Sequence, residues 1–171
     1  MLSELAKRLA TFGLTLHETK TRLLEFGRLP ALARQQRGLK RPETFSFLGF
    51  THYCAWTRDG RFMVKCKTQR QRSLRKLKAL RAEAWRLMHA PIARQHRWLA
   101  RVLQGHYAYY GRPHNFRALE TFRREVRNIW LRLLKRRSQK NRKMSWDTFD
   151  AMTKNFTLPK PRIMHSWQAT A

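Results

Sequence analysis

Residues 91–140 read PIARQHRWLARVLQGHYAYYGRPHNFRALETFRREVRNIWLRLLKRRSQK, and this stretch decides the fold. Pro91 suits the first turn of a helix, where its fixed φ fits and its missing N–H costs nothing. After it Ile92, Leu99, Val102, Leu103 and Tyr110 recur at spacings near 3.6, the pattern of one buried helical stripe. Gly111 and Pro113 punctuate a turn, and Asn115 is placed to N-cap a second helix. The inner face of that helix would carry Leu119, Phe122, Val126, Ile129, Trp130, Leu133 and Leu134. Its other face carries Arg117, Arg123, Arg124, Arg127, Arg132, Lys135, Arg136 and Arg137. So much positive charge on one surface repels itself in water, and reads as half of an interface whose other half is phosphate.

Working outward, Thr68-x-x-Gln71 fits a capping box for a preceding long helix with Leu74, Leu77, Ala84, Leu87 and Met88 inside. Arg70, Arg72, Arg75, Lys76, Lys78 and Arg81 dominate its outer surface. Before it, the Asp59-Gly60 pair marks a hairpin turn, with Phe62–Lys65 returning as a strand. Phe45–Phe50 alternates and is aromatic, which predicts a strand with its Phe residues on one face. Gly27–Pro42 is polar and basic and reads as a loop. Residues 2–12 form a short amphipathic helix stopped at Gly13; Leu14–Leu16 and Thr21–Phe26 read as extended, around a turn at His17–Lys20. Beyond the long helices, Ser145 caps a short helix carrying Trp146, Phe149 and Met152, and Leu158–Ile163 is extended. The expected class is α+β: a strand and hairpin region over 1–67, three long helices over 68–143, and a helical cap with a tail over 144–171.

The 171 residues include 38 Lys/Arg against 10 Asp/Glu, a net charge of +28, with a mean hydropathy of −0.69. That balance approaches a disordered chain, but six Trp, ten Phe and four Tyr argue for a folded, small core. The charge is uneven: residues 1–60 hold ten Lys/Arg against five Asp/Glu, and residues 61–171 hold 28 against five. The later part therefore faces a polyanion. Nucleic acid suits this better than an anionic membrane, because the basic helices would bury their apolar faces on one another. No apolar h-region opens the chain and no apolar run reaches membrane length, so a cytoplasmic, nucleic-acid-associated protein is expected, with no small-molecule substrate.

Catalytic and metal chemistry is sparse. Cys54 and Cys66 make no C-x-x-C pairing, and His52 beside Cys54 does not complete a zinc set. The acidic residues offer no Asp pair of the kind that holds two metal ions. Asp147 and Asp150 share a helical turn whose setting suits N-terminal dipole pairing. His114-Asn115 lacks the partners of an HNH nuclease, and there is no phosphate-binding glycine loop or G-x-S-x-G. No catalytic residue and no cofactor are assigned. Binding chemistry is abundant: Gly105–Arg112 sets tyrosines beside an arginine, suited to stacking on unpaired bases. The alternative for Tyr107 and Tyr110 is a core position with a wet hydroxyl. The candidate RNA-contacting residues are Arg72, Arg75, Lys76, Tyr107, Tyr110, Arg112, Arg123, Arg127, Arg136, Arg137, Lys140, Arg142 and Lys143.

Taken in order, these pieces resemble the C-terminal part of a group II intron-encoded reverse transcriptase/maturase. Gly13-Leu14-x-Leu16-His17-x-x-Lys20-Thr21 resembles the palm motif after the catalytic strand, and Phe45-x-Phe47-Leu48-Gly49-Phe50 the primer-gripping hairpin. Arg97-Trp98-Leu99, Gly105-His106-Tyr107-x-Tyr109-Tyr110, Phe122-x-x-Glu125-Val126, Trp130-Leu131 and Arg136-Arg137-Ser138 are similar to the maturase thumb region. Leu158-Pro159-x-Pro161-Arg162-Ile163-x-His165 is similar to the family's close. The resemblance covers nearly the whole chain. It implies the end of a polymerase palm, a three-helix thumb-like bundle that holds intron RNA, and a role in splicing and mobility. It implies that Lys20 matches a palm lysine near the nucleotide's phosphates, and that Leu48, Gly49 and Phe50 match the primer grip. The family's Tyr-x-Asp-Asp sequence is absent, since Met1 falls just after where it would end. Mg²⁺ is therefore expected only in a full-length member, and the chain alone is expected to be inactive. Two alternatives stand beside this: half of a split reverse transcriptase needing a fingers/palm polypeptide in trans, and a general basic RNA- or DNA-binding protein.

Overall fold

A computed structural model of the chain describes residues 2–17 and 19–165. The elements are α1 (Leu2–Ala10), α2 (Arg28–Gln36), β1 (Phe45–Phe47), β2 (Phe50–Trp56), β3 (Phe62–Thr68), α3 (Arg70–Arg86), α4 (Ile92–Tyr110), α5 (Phe116–Arg137), a 3₁₀ turn at Gln139–Asn141 and α6 (Trp146–Met152). The strands form one antiparallel sheet in the order β1-β2-β3, and the class is α+β. The chain divides into two compact units, one of 1–45 with 53–64 and the other of 46–52 with 65–171.

In the first unit, Gly13 ends α1 in the left-handed conformation (φ +70°), with Leu14 N–H donating back to the Leu9 carbonyl at 3.0 Å. The loop expected over Gly27–Pro42 instead contains α2. Pro30 is tolerated there because the first-turn N–H groups of a helix have no intrahelical partner. Ala31 is buried, and Arg34 reaches the Glu25 carboxylate at 2.7 Å and the Lys40 carbonyl at 3.0 Å. Residues 14–16 and 21–26 join no sheet among the described residues. The Asp59-Gly60 turn forms as expected, closed by Thr57 N–H donating to the Arg61 carbonyl at 2.8 Å.

The second unit holds the main core. All seven residues expected on the inner face of α5 are buried, and they meet Leu80 and Ala84 of α3, Leu99 and Leu103 of α4, and Met144, Phe149 and Leu158 of the C-terminal stretch. Trp130 is 1 % exposed and packs edge-on against Phe149, with ring centroids 5.5 Å apart. One side chain outside the apolar stripe decides how α4 sits. Gln95, 1 % exposed, donates to the carbonyls of Leu87, Met88 and Ala90, each at 3.0 Å, and accepts from Trp130 Nε1 at 2.9 Å. It ties the C-terminal turn of α3 to both later helices.

Several local expectations are corrected. Phe45–Phe50 is not one strand: Leu48 (φ +47°) and Gly49 (φ +78°) form a two-residue turn of the kind that suits the strand twist, and Phe50 opens β2. The Thr68–Gln71 capping box does not form, because Thr68 ends β3 and Gln69 occupies the N-cap without a side-chain bond. Pro91 is the N-cap of α4 rather than its first residue. Asn115 does stand at the N-cap of α5 but does not cap it with its side chain. Its Oδ1 accepts from Thr68 N–H, and its Nδ2 donates to Thr68 Oγ1 and the Tyr110 carbonyl, all at 2.8 Å. One asparagine thus joins the end of β3, the end of α4 and the start of α5. Ser145 caps α6 as expected, accepting from Thr148 N–H at 3.2 Å. Among the described residues no helix is long and apolar enough to cross a membrane.

Candidate nucleic-acid interface

The arginine-rich faces follow from helix periodicity: with the apolar stripe buried, the intervening basic residues must lie outside. On α3, Arg70, Arg72, Arg75, Lys76, Lys78 and Arg81 are all exposed. Of these, Arg72, Arg75 and Lys76 border a groove of about 590 Å³ against α4, lined also by Arg101, Gly105, Tyr109 and Tyr110. Arg72, Arg75, Lys76 and Arg101 make no ion pair among the described residues, and no acidic side chain lines the groove.

The end of the groove is aromatic and fixed. Tyr109 is 51 % exposed, yet its hydroxyl donates to the Leu48 carbonyl at 2.8 Å and its ring lies parallel to Phe50 at 5.9 Å. Tyr110 packs on Phe50 at 5.2 Å, and its hydroxyl crowds Gly49, where a β-carbon would come within 3.0 Å. The Arg112 guanidinium lies over the Phe50 ring at 5.5 Å. Burial raises the Tyr110 pKa, with Tyr109 adding to the effect and Arg72 opposing it. The hairpin tip Leu48-Gly49-Phe50, Tyr110, Arg112 and the α3 cations are thereby brought onto one surface.

No family model, curated protein or solved structure matches the chain.

The remaining candidates are scattered or already engaged. Tyr107 is 2 % exposed and its hydroxyl donates to the Pro159 carbonyl at 3.1 Å. Burial pushes its pKa up to about 12, against the pull of Arg123; its ring belongs to the core and is not offered to a base. Arg123 donates to the carbonyls of Pro159 and Leu158 at 3.1 and 3.3 Å. Arg127 pairs with Asp150 and lies over the Trp146 ring, which with exposed Arg117 and Arg124 borders a second groove along α5. Arg136 covers Trp85 at 4.9 Å, and Arg137 donates to the Ala90 carbonyl at 3.2 Å. Lys140, Arg142 and Lys143 are exposed around the 3₁₀ turn, and Lys20 is exposed in the first unit.

Sequence reasoning missed Arg101, and it placed Tyr109 and His106 within the Gly105–Arg112 segment without singling either out. His106 is buried among aromatic rings, stacked on Phe122 at 3.7 Å, with no hydrogen-bond partner for its Nε2 among the described residues. Desolvation, aided by nearby Lys76, lowers its pKa to about 4, so at neutral pH it adds no charge. Its only signal was its place one turn before Tyr110 on the buried stripe. Among the described residues, no three of His, Cys, Asp and Glu gather closely enough to hold a metal ion.

Proposed function

We propose that this protein is an RNA-binding part of a group II intron reverse transcriptase/maturase, holding structured intron RNA during splicing and mobility without polymerase chemistry of its own. The observation that carries the reading is the α3–α4 surface, where four cations with no ion-pair partner among the described residues adjoin a fixed, exposed tyrosine. Backbone affinity comes from such cations, and aromatic faces add contacts with unpaired bases. The ordered motifs of the sequence support the family reading, and the exposed cations of the helical unit support an RNA-facing surface. The test is anisotropy of the full chain with a folded group II intron domain and with an unrelated folded RNA of equal length. At moderate salt the intron RNA binds at least about tenfold more tightly, or about 1.4 kcal/mol. Equal affinity for both would reduce the protein to a general basic RNA- or DNA-binding protein.

A second reading rests on a different observation. Leu2, Leu5, Phe12, Leu14, Leu23 and Leu29 of the first unit are all exposed, an apolar surface that a fingers/palm polypeptide would cover in a split reverse transcriptase. Adding such a fragment to the chain then produces primer extension that neither piece shows alone; no gain in extension removes this reading.

A further inference from the structure

Gly105 lies inside α4, where glycine weakens a helix relative to alanine. Such a residue needs a reason, and the described residues supply none. Its backbone is not in the left-handed region, and an added β-carbon would meet nothing within 4 Å. The open space belongs to the α3–α4 groove, which Gly105 lines between Arg101 and Tyr109 and opposite Arg72, Arg75 and Lys76. The Tyr109 ring stands ready at one end, its hydroxyl tethered to Leu48 and half its surface free.

We propose that this groove takes an unpaired RNA strand, whose sugar–phosphate chain crosses α4 directly over Gly105 while one base stacks on Tyr109. The inference rests on the RNA-binding reading above and adds which form of RNA the groove accepts. The four cations hold the flanking phosphates. A duplex keeps its bases stacked on one another and leaves an exposed ring little to stack on, whereas a single strand offers every base face. The missing β-carbon is then the clearance that lets a ribose approach the helix backbone. An acidic peptide would satisfy the cations but has no use for the tyrosine.

The experiment uses the full chain, a labelled single-stranded oligoribonucleotide of about 12 nucleotides and an RNA hairpin duplex of about 16 base pairs. Gly105→Ala is the deciding variant, because alanine favours the helix and its melting temperature stays level or rises. Single-strand binding by Gly105→Ala falls about fivefold, and by Gly105→Leu about thirtyfold, while duplex binding changes less than about twofold. Tyr109→Ala lowers single-strand affinity about tenfold, within the range for loss of one base stack. The inference is overturned if Gly105→Ala binds the single strand as the unaltered protein does, or if duplex binding falls equally. It is also overturned if a polyglutamate peptide competes as well as the oligonucleotide. Failure of the broader reading looks different: the unaltered protein then binds neither RNA.

Discussion

Gln95 offers the sharpest test of how the helical unit holds its groove. Replacing it with leucine keeps the volume and removes every polar contact. Of the groups it serves, the Leu87 carbonyl also accepts from Ala90 N–H and the Ala90 carbonyl also accepts from Arg137. Trp130 Nε1 and the Met88 carbonyl lose the only partners described for them. Each buried polar group left unpaired costs about 1–3 kcal/mol, so Gln95→Leu destabilises by about 4 kcal/mol. Set against a usual total of about 5–15 kcal/mol, that loss is large. Urea denaturation followed by helical circular dichroism reads it directly, with the change in midpoint converted through a common slope. Gln95→Glu keeps the acceptor for Trp130 but turns a carboxylate toward three carbonyl oxygens, and is at least as damaging. A loss below about 1 kcal/mol for Gln95→Leu would refute the reasoning, since it would mean that α3, α4 and α5 are held by apolar packing alone.

Other outcomes follow from particular contacts. His106 has its pKa lowered from 6.5 to about 4, so below pH 6.5 the unfolded chain takes up a proton that the folded chain refuses. Stability therefore falls between about pH 6.5 and pH 4 and levels off below, by at most about 3 kcal/mol; His106→Leu flattens that slope in denaturation series across pH. At Gly111 a β-carbon would lie 2.3 Å from the Tyr107 carbonyl and 3.0 Å from Met164. Gly111→Ala displaces the tail, whose Met164 and His165 N–H groups donate to the Gly111 carbonyl, and lowers stability by about 1–3 kcal/mol in thermal melts. Tyr107→Phe gives up the bond to Pro159 and costs about 1 kcal/mol by the same measurement.

The residues show what a sequence can and cannot carry. The inner face of α5 was legible because seven apolar side chains at helical spacing have one place to go. The basic face of α3 was legible for the converse reason, although Leu74, expected inside, is 54 % exposed. Pro30 and the basic residues around it hid α2, since a proline in a first turn looks like one in a loop. Gln95 and His106 interrupt an apolar pattern, and only their partners on other elements explain why they are buried. The candidate interface was half legible. Arg72, Arg75 and Lys76 stand exposed on one helix with no ion pair among the described residues, but the engagement of Arg123, Arg127 and Arg137 depends on Pro159, Asp150 and Ala90, which are distant in sequence. Tyr107 and Tyr109 are two residues apart and identical in type; the roughly 200° between them about the helix axis sends the first into the core and leaves the second outside.

The central claim is that the free cations of the α3–α4 groove hold an RNA backbone. The direct measurement is the slope of log binding constant against log salt for the unaltered protein and for a variant with Arg72, Arg75, Lys76 and Arg101 changed to glutamine. Each phosphate contact contributes about 0.7–0.9 to that slope, so the variant's slope becomes shallower by about 3 while its affinity at low salt collapses. An unchanged slope in a variant that still folds would contradict the account.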